Sequence, residues 1–194
     1  MQKIIFATSN PNKIREVQEM LGNSWIIKSL KDINCLEDVP ETSPTIEGNA
    51  LQKARYVAQN YNVNCFAEDT GLEVNALNGA PGVITARYAG PQRDANDNMD
   101  LLLKNLAPYE DRSARFKTVI ALLIDGKEML FEGIINGHIA KNKSGAGGFG
   151  YDPIFIPENH TVSFAEMDKN QKNPISHRGR AMVKLLDYLN IEFV

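Results

Sequence analysis

The stretch SGAGGFGYDPIF, residues 144–155, contains a literal G-x-G-x-x-G at Gly145, Gly147 and Gly150. Its reading decides between a doubly wound dinucleotide-binding fold and another α/β arrangement. The fingerprint works only between a strand and a helix, whose N-terminus receives the pyrophosphate. Here the glycines run into Tyr151, Asp152 and Pro153, then Ile154, Phe155 and Ile156. Proline holds the residue before it in extended conformations, and a β-branched and aromatic run reads as strand. No helix begins where a pyrophosphate would need one, so the dinucleotide reading fails. A loop wanting only flexibility would not carry Phe149, Tyr151 and Asp152 among its glycines. An exposed aromatic on a permissive backbone predicts a ligand platform.

On either side of this loop the apolar pattern predicts a mixed α/β chain rather than a repeated βαβ one. Residues 3–7, KIIFA, read as a buried strand. Asn10 then caps a helix beginning at Pro11, with Ile14, Val17, Met20 and Leu21 at helical spacing. A second helix is predicted over 47–60, with Ala50, Leu51, Ala54, Val57 and Ala58 on one face, and a third over 94–106. Cys65, Phe66 and Ala67 make a buried strand expected to end at Glu68 and Asp69. Residues 115–124 and 128–140 read as two long strands joined by the turn Asp125-Gly126. Ser176 is expected to cap a last helix with Ala181, Met182, Leu185, Leu186 and Leu189 facing inward.

The chain has 194 residues, 43% hydrophobic, and a formal net charge of -3. One domain over residues 1–194 is expected, without repeats or linkers. The net charge argues against a nucleic acid polymer as partner, so any nucleotide site is made locally by a few Lys and Arg residues or a metal ion. Cys35 and Cys65 imply no disulfide framework and favour a reduced compartment. The apolar run near the N-terminus is too short for a signal peptide or membrane span, so a cytoplasmic protein is expected.

Three segments carry chemistry. TSNPNK, residues 8–13, is a strand–turn–helix entry with Lys13 in the first helical turn. Open backbone N–H groups there suit an anion, and a lysine at that end opposes the helix dipole. Such entries are also common in α/β folds without ligands. EDTG, residues 68–71, places two carboxylates in succession, and strand alternation sends them to opposite faces. One could hold Mg²⁺ or orient water; a turn-capping aspartate is the alternative. SHRGR, residues 176–180, sets His177, Arg178 and Arg180 at a helix start, where stability does not favour cations. The histidines at 138, 160 and 177 show no metal-ligand spacing.

Taken together, these segments resemble the inosine triphosphate pyrophosphatase family. The matching stretches are FATSNPNK, ETSPTIEGNALQKA, AEDTGLEVNALNGAPGV, ARYAG, GGFGYDPIF and KNPISHRGRA, in the family's order over essentially the whole chain. The resemblance implies a mixed α/β fold of two lobes on a long twisted central sheet, with the nucleotide cleft between them. It also implies Mg²⁺ dependence, a homodimer, and hydrolysis of ITP, dITP and XTP to the monophosphate and pyrophosphate, which clears aberrant purines from the nucleotide pool. By motif position, Thr8, Ser9, Asn10, Pro11, Asn12, Lys13 and Lys53 resemble the triphosphate clamp. Glu41 and Asp69 resemble the metal-associated acids, Asp69 being also the catalytic base, and Thr70 lies beside the phosphates. Phe149, Gly150, Tyr151 and Asp152 resemble the base-stacking and base-contacting segment, completed by Lys172, His177 and Arg178. The glycines are then expected to let the backbone approach a purine.

Some positions depart from the family pattern. Ile84 and Thr85 stand where Tyr-Ser is common, Ala146 where Thr is frequent, and Gly48 where an acid is frequent beside Glu47. The competing readings are a related pyrophosphatase for a modified pyrimidine, and a nucleotide-binding regulator without hydrolysis. Asp69, Lys13 and Lys53 argue against the second.

Overall fold

The computed structural model describes residues 2–21 and 25–192; the side chains of Gln2, Asn12, Glu16, Met20, Leu21 and Glu192 lie outside the described residues. The chain is mixed α/β. Strand β1 (Gln2–Phe6) leads into helix α1 (Pro11–Leu21) and β2 (Trp25–Lys28). Helix α2 (Ile46–Tyr61) precedes β3 (Cys65–Val74), the short β4 (Pro81–Gly82) and α3 (Ala95–Leu106). Then come β5 (Ser113–Ile124), β6 (Lys127–Ile139), β7 (Phe155–Pro157), α4 (Lys169–Ile175) and α5 (His177–Glu192). The sheet runs β2-β1-β3-β5-β6-β7, with β4 on β3. β1 is parallel to β2 and β3, whereas β4 on β3 and β7 on β6 are antiparallel. Asp125 and Gly126 join β5 to β6 with φ of 49° and 77°, the double positive φ that matches strand twist in a two-residue hairpin.

The chain divides into two compact units, each discontinuous: residues 1–69, 119–132 and 181–194, and residues 70–118 and 133–180. In the first, Ile4, Phe6, Val17, Trp25, Phe66 and Leu122 pack with Met182, Leu185 and Leu189 of α5, and the Phe6 and Phe66 rings stack at 4.5 Å. In the second, Leu72, Leu102, Leu106, Phe116 and Ile139 pack with Phe155 and Phe164. The apolar faces predicted on α2 and α5 are inward, Ala50, Ala54, Val57, Ala181, Met182, Leu185 and Leu189 being buried.

Two expectations are corrected. β3 does not end at Glu68 and Asp69 but continues to Val74, so both acids lie within a strand. Pairing overrides the glycine turn signal: Leu72 and Glu73 pair with Gly82 and Pro81, and Leu72 N–H donates to Thr85 Oγ1 at 2.9 Å. Ile154 ends a single 3₁₀ turn, Asp152–Ile154, so the strand after the glycine loop starts at Phe155.

Candidate active-site groups

The first group lies in the unit holding β1, α2 and the start of β3. Helix α2 starts at the cap Thr45, whose side chain accepts from Gly48 N, and Lys53 follows two turns on. Its ammonium donates to Glu41 Oε1 at 2.6 Å and to Asp69 Oδ1 at 3.1 Å. Asn49 Nδ2 donates to the other oxygen, Asp69 Oδ2, at 3.4 Å. Two carboxylates thus converge on one buried ammonium. Burial pushes the Asp69 carboxyl above its usual range, Lys53 pulls it partly back, and the Glu41 charge adds to the rise. Burial works to lower Lys53 as well, but Asp69 and Glu41 outweigh it and hold the ammonium above its ordinary value.

This donor set fits Mg²⁺. Among the described residues no three Asp, Glu, His or Cys side chains converge, so no all-protein cage exists there. Mg²⁺ takes hard oxygens and ordinarily uses one or two carboxylates, filling its octahedron with waters and substrate phosphates. Glu41 and Asp69 are the two carboxylates that would hold it.

On β3, alternation separates the neighbouring acids as the sequence predicts. Glu68, 3% exposed, pairs with Lys13 Nζ at 2.9 Å, while Asp69 pairs with Lys53. Lys13 therefore has a buried carboxylate partner, which accounts for a lysine at a helix start. In the preceding turn, Asn10 Oδ1 accepts from Lys13 N at 3.4 Å and Thr8 Oγ1 accepts from Asn10 N at 3.2 Å. Ser9, Asn10 and Pro11 are exposed, and the Asn12 side chain is outside the described residues.

The second group lies in the other unit, around Phe149, which is 54% exposed. Lys172 Nζ stands 4.9 Å and the Arg178 guanidinium 5.1 Å from its ring centroid, both within cation–π range. Asp152 Oδ2 accepts from Lys172 Nζ at 2.6 Å and from Phe149 N at 2.7 Å, fixing cation and platform together. Helix α4 delivers Lys172; Asp168 caps it in a reciprocal capping box with Gln171. Ser176 caps α5 as expected, its hydroxyl accepting from Gly179 N at 3.0 Å. The His177 ring is buried and stacks on Phe116 at 4.6 Å. Tyr151 is buried, its hydroxyl donating to Thr85 O at 2.9 Å, and Thr70 shares a 2.7 Å hydroxyl contact with Thr118.

The glycines need a different account from the one expected. Side chains at Gly145 and Gly147 would run into the Ala165 backbone, and Gly147 N donates to Ala165 O at 3.0 Å. Gly148 (φ 73°) leaves room for the Asp152 carboxylate. Only Gly150 (φ 64°) stands over open space. Three of the four glycines thus serve packing beneath the platform rather than close approach of a ligand.

Of the residues singled out in the sequence, the structure brings Glu41, Lys53 and Asp69 together, and separately Phe149, Asp152, Lys172 and Arg178. Sequence reasoning left Glu68 without a role and passed over Asn49; neither has a local signature, because their partners are remote in sequence. Helix α4 was also missed, although D-x-x-Q at Asp168 and Gln171 is a readable capping signal. Gly48 is explained by packing, since a side chain there would collide with Ser43.

The Ham1 family profile matches residues 4–188. A Flavobacterium johnsoniae protein named dITP/XTP pyrophosphatase is 57% identical, covering 96% of this chain and 97% of its own. The Bacillus subtilis protein of the same name is 42% identical over 95% and 96%. Among solved structures, the Staphylococcus aureus Ham1 protein superposes with a TM-score of 0.92 at 37% identity, covering 98% of this chain and 100% of its own. The Ham1 protein of Coxiella burnetii gives 0.93 at 36% identity, with 98% and 100% covered. A profile match of this extent, with relatives this similar end to end, establishes that the chain belongs to the Ham1 family.

Proposed function

We propose that the protein is a Mg²⁺-dependent nucleoside-triphosphate pyrophosphatase that hydrolyses ITP, dITP and XTP to the monophosphate and pyrophosphate, removing aberrant purines from the nucleotide pool. The observation that carries this reading is the Glu41–Lys53–Asp69 cluster, in which burial lifts the carboxyl of Asp69 toward the range of a working base. Water adds to the phosphoryl centre, the α–β anhydride bond breaks, and its electron pair leaves on pyrophosphate. Asp69 accepts the proton from water, and Lys53 and Lys13 offset phosphate charge, Lys13 with the open turn from Thr8 to Asn12. Mg²⁺, held by Glu41 and Asp69, would supply further neutralisation of the triphosphate. Such reactions ask for positioning and electrostatics more than covalent help. Thr70 stands at the phosphate end; Phe149 stacks on the base, and the segment Gly150–Asp152, Lys172, His177 and Arg178 complete its recognition.

Hypoxanthine and xanthine carry a 6-keto acceptor that Arg178 can satisfy, whereas adenine puts a donor there. A site built on such a bond can reject the wrong analogue by up to roughly 10⁴-fold. We place the enzyme in the cytoplasm as a homodimer; among the described residues no helix is long and apolar enough to cross a membrane. Light scattering should return twice the 21.6 kDa chain mass. Pyrophosphate release from ITP, XTP, dITP, GTP, ATP and dTTP with Mg²⁺ tests the function. Fast turnover of the first three is expected; GTP hydrolysed as fast as ITP, or dTTP preferred, would overturn the reading.

A further inference from the structure

Glu41 belongs to no helix or strand: the chain between the 3₁₀ turn ending at Ile33 and the start of α2 is irregular. An acid on such a segment would ordinarily be poorly fixed, so its restraint needs an explanation. Along α2, Asn49, Gln52, Lys53 and Tyr56 fall on one face at helical spacings of three and four. Their partners run backward along the irregular segment. Asn49 Oδ1 accepts from Ser43 N at 2.8 Å. Gln52 binds Thr42 twice, accepting from its N–H and donating to its Oγ1, each at 2.8 Å. Lys53 holds Glu41 at 2.6 Å. Tyr56 donates to Glu37 Oε1 at 3.1 Å, joined there by Tyr61 at 2.6 Å. Gly48 lets Ser43 nest on the helix, since a side chain would collide with it. Residues 37–43 are therefore laid antiparallel along α2 by polar side chains, two of which satisfy the segment's own backbone N–H groups. Asn49, 2% exposed, also reaches Asp69.

We propose that Asn49 and Gln52 are positioning residues that fix the spacing of Glu41 and Asp69, with Asn49 tying Asp69 to Ser43, two residues from Glu41, and Gln52 clamping the residue next to Glu41. This rests on the pyrophosphatase reading. Groups of this kind, touching no substrate, keep reacting groups preorganised, and removing such supports around a metal site typically costs 10- to 100-fold.

Three variants test it: Gln52→Met, Asn49→Ala, and Asn49→Asp, which keeps an acceptor for Ser43 N but loses the donor to Asp69. Native-state amide exchange on the metal-free chain supplies a readout independent of activity. Exchange should quicken at Thr42 in Gln52→Met and at Ser43 in Asn49→Ala, and stay slow at Ser43 in Asn49→Asp. In the XTP assay all three should lose about 10- to 100-fold in kcat. Their KM should stay within about threefold, since misplacement of reacting groups weakens the transition state more than substrate binding. A wild type inactive on the whole triphosphate panel removes the pyrophosphatase reading itself. With an active wild type, the proposal is overturned by any of three outcomes: kcat within about twofold in Gln52→Met despite faster Thr42 exchange, a loss confined to KM, or unchanged exchange at both amides. If the Asn49 variants fail to fold, Gln52→Met and its partner Thr42→Val decide alone: Thr42→Val loses only the Oγ1 bond, so the double variant should be no worse than Gln52→Met by itself.

Discussion

Asp69→Asn should separate catalysis from stability. Asn is nearly isosteric and can keep its oxygen toward Lys53, which donates to Asp69 Oδ1 at 3.1 Å. Its new NH₂ would then face the Asn49 NH₂ across the present 3.4 Å contact. Asn49 cannot flip to relieve this, since its oxygen is engaged by Ser43 N at 2.8 Å. That mismatch costs about 1 kcal/mol. Against it stands the relief of burying the Asp69 charge. Because the folded state raises the carboxyl of Asp69, folding disfavours its ionised form, so at neutral pH removing the charge is stabilising. The two effects oppose each other, and a residual of about 1 kcal/mol moves Tm by only about 2–4 °C in a domain of this length. Activity has no such compensation: loss of the base alone costs about 10²–10⁴-fold, and a lost metal contact adds to that. Pyrophosphate release from XTP and calorimetric Tm are measured on the same preparation. Activity within about threefold of wild type would make Asp69 a structural residue, and a Tm fall well beyond 4 °C would refute the charge argument.

Lys53→Met leaves Glu41 and Asp69 facing each other without their cation, a loss of about 3 kcal/mol, near the lower bound for a broken buried pair because Glu41 is partly exposed. The sign with pH follows: without Lys53 the Asp69 carboxyl rises further, stability is retained where it is protonated and lost as pH rises through its folded value, so the Tm deficit should be larger at pH 8 than at pH 5. A deficit independent of pH would contradict the cluster's electrostatics. Arg178→Ala should lower kcat/KM for ITP by about 1–3 kcal/mol and for ATP by less. Equal losses would move Arg178 to the phosphates.

Local signals carried much of the fold. The cap at Asn10 and Pro11, the turn at Asp125 and Gly126, the cap at Ser176 and the apolar faces of α2 and α5 are each decided within a few residues, and each appears as read. Misreadings arose where a remote partner outvoted the local pattern. Gly71 follows Asp69 and Thr70 as a turn would, yet β3 runs through it, its next residues Leu72 and Glu73 being held by β4 and Thr85. The loop glycines invited a ligand-facing account until Ala165 was found beneath them. The acids at 68 and 69 could be assigned to opposite faces from alternation alone, but not to their lysines, which arrive on two different helices. The short β2 and α4 give windows too brief for periodicity, and α4 contains Pro174.

Neither compact unit is a continuous stretch of chain: the path leaves the first unit after Asp69, re-enters for 119–132, and returns only for 181–194. No single cut releases either unit intact, and half-molecules expressed alone would each lack part of a core. A nick at the Asp125-Gly126 turn would sever β5 from β6 without freeing a stable fragment. Removing the chain after Arg180 would strip Ala181, Met182, Leu185 and Leu189 from the core they share with β1 and β3, although every acid and lysine of the phosphate-end group would remain encoded. Closure of that core must await synthesis of α5, and its contacts with β1 span most of the sequence, which makes the first unit depend on non-local contacts that form late.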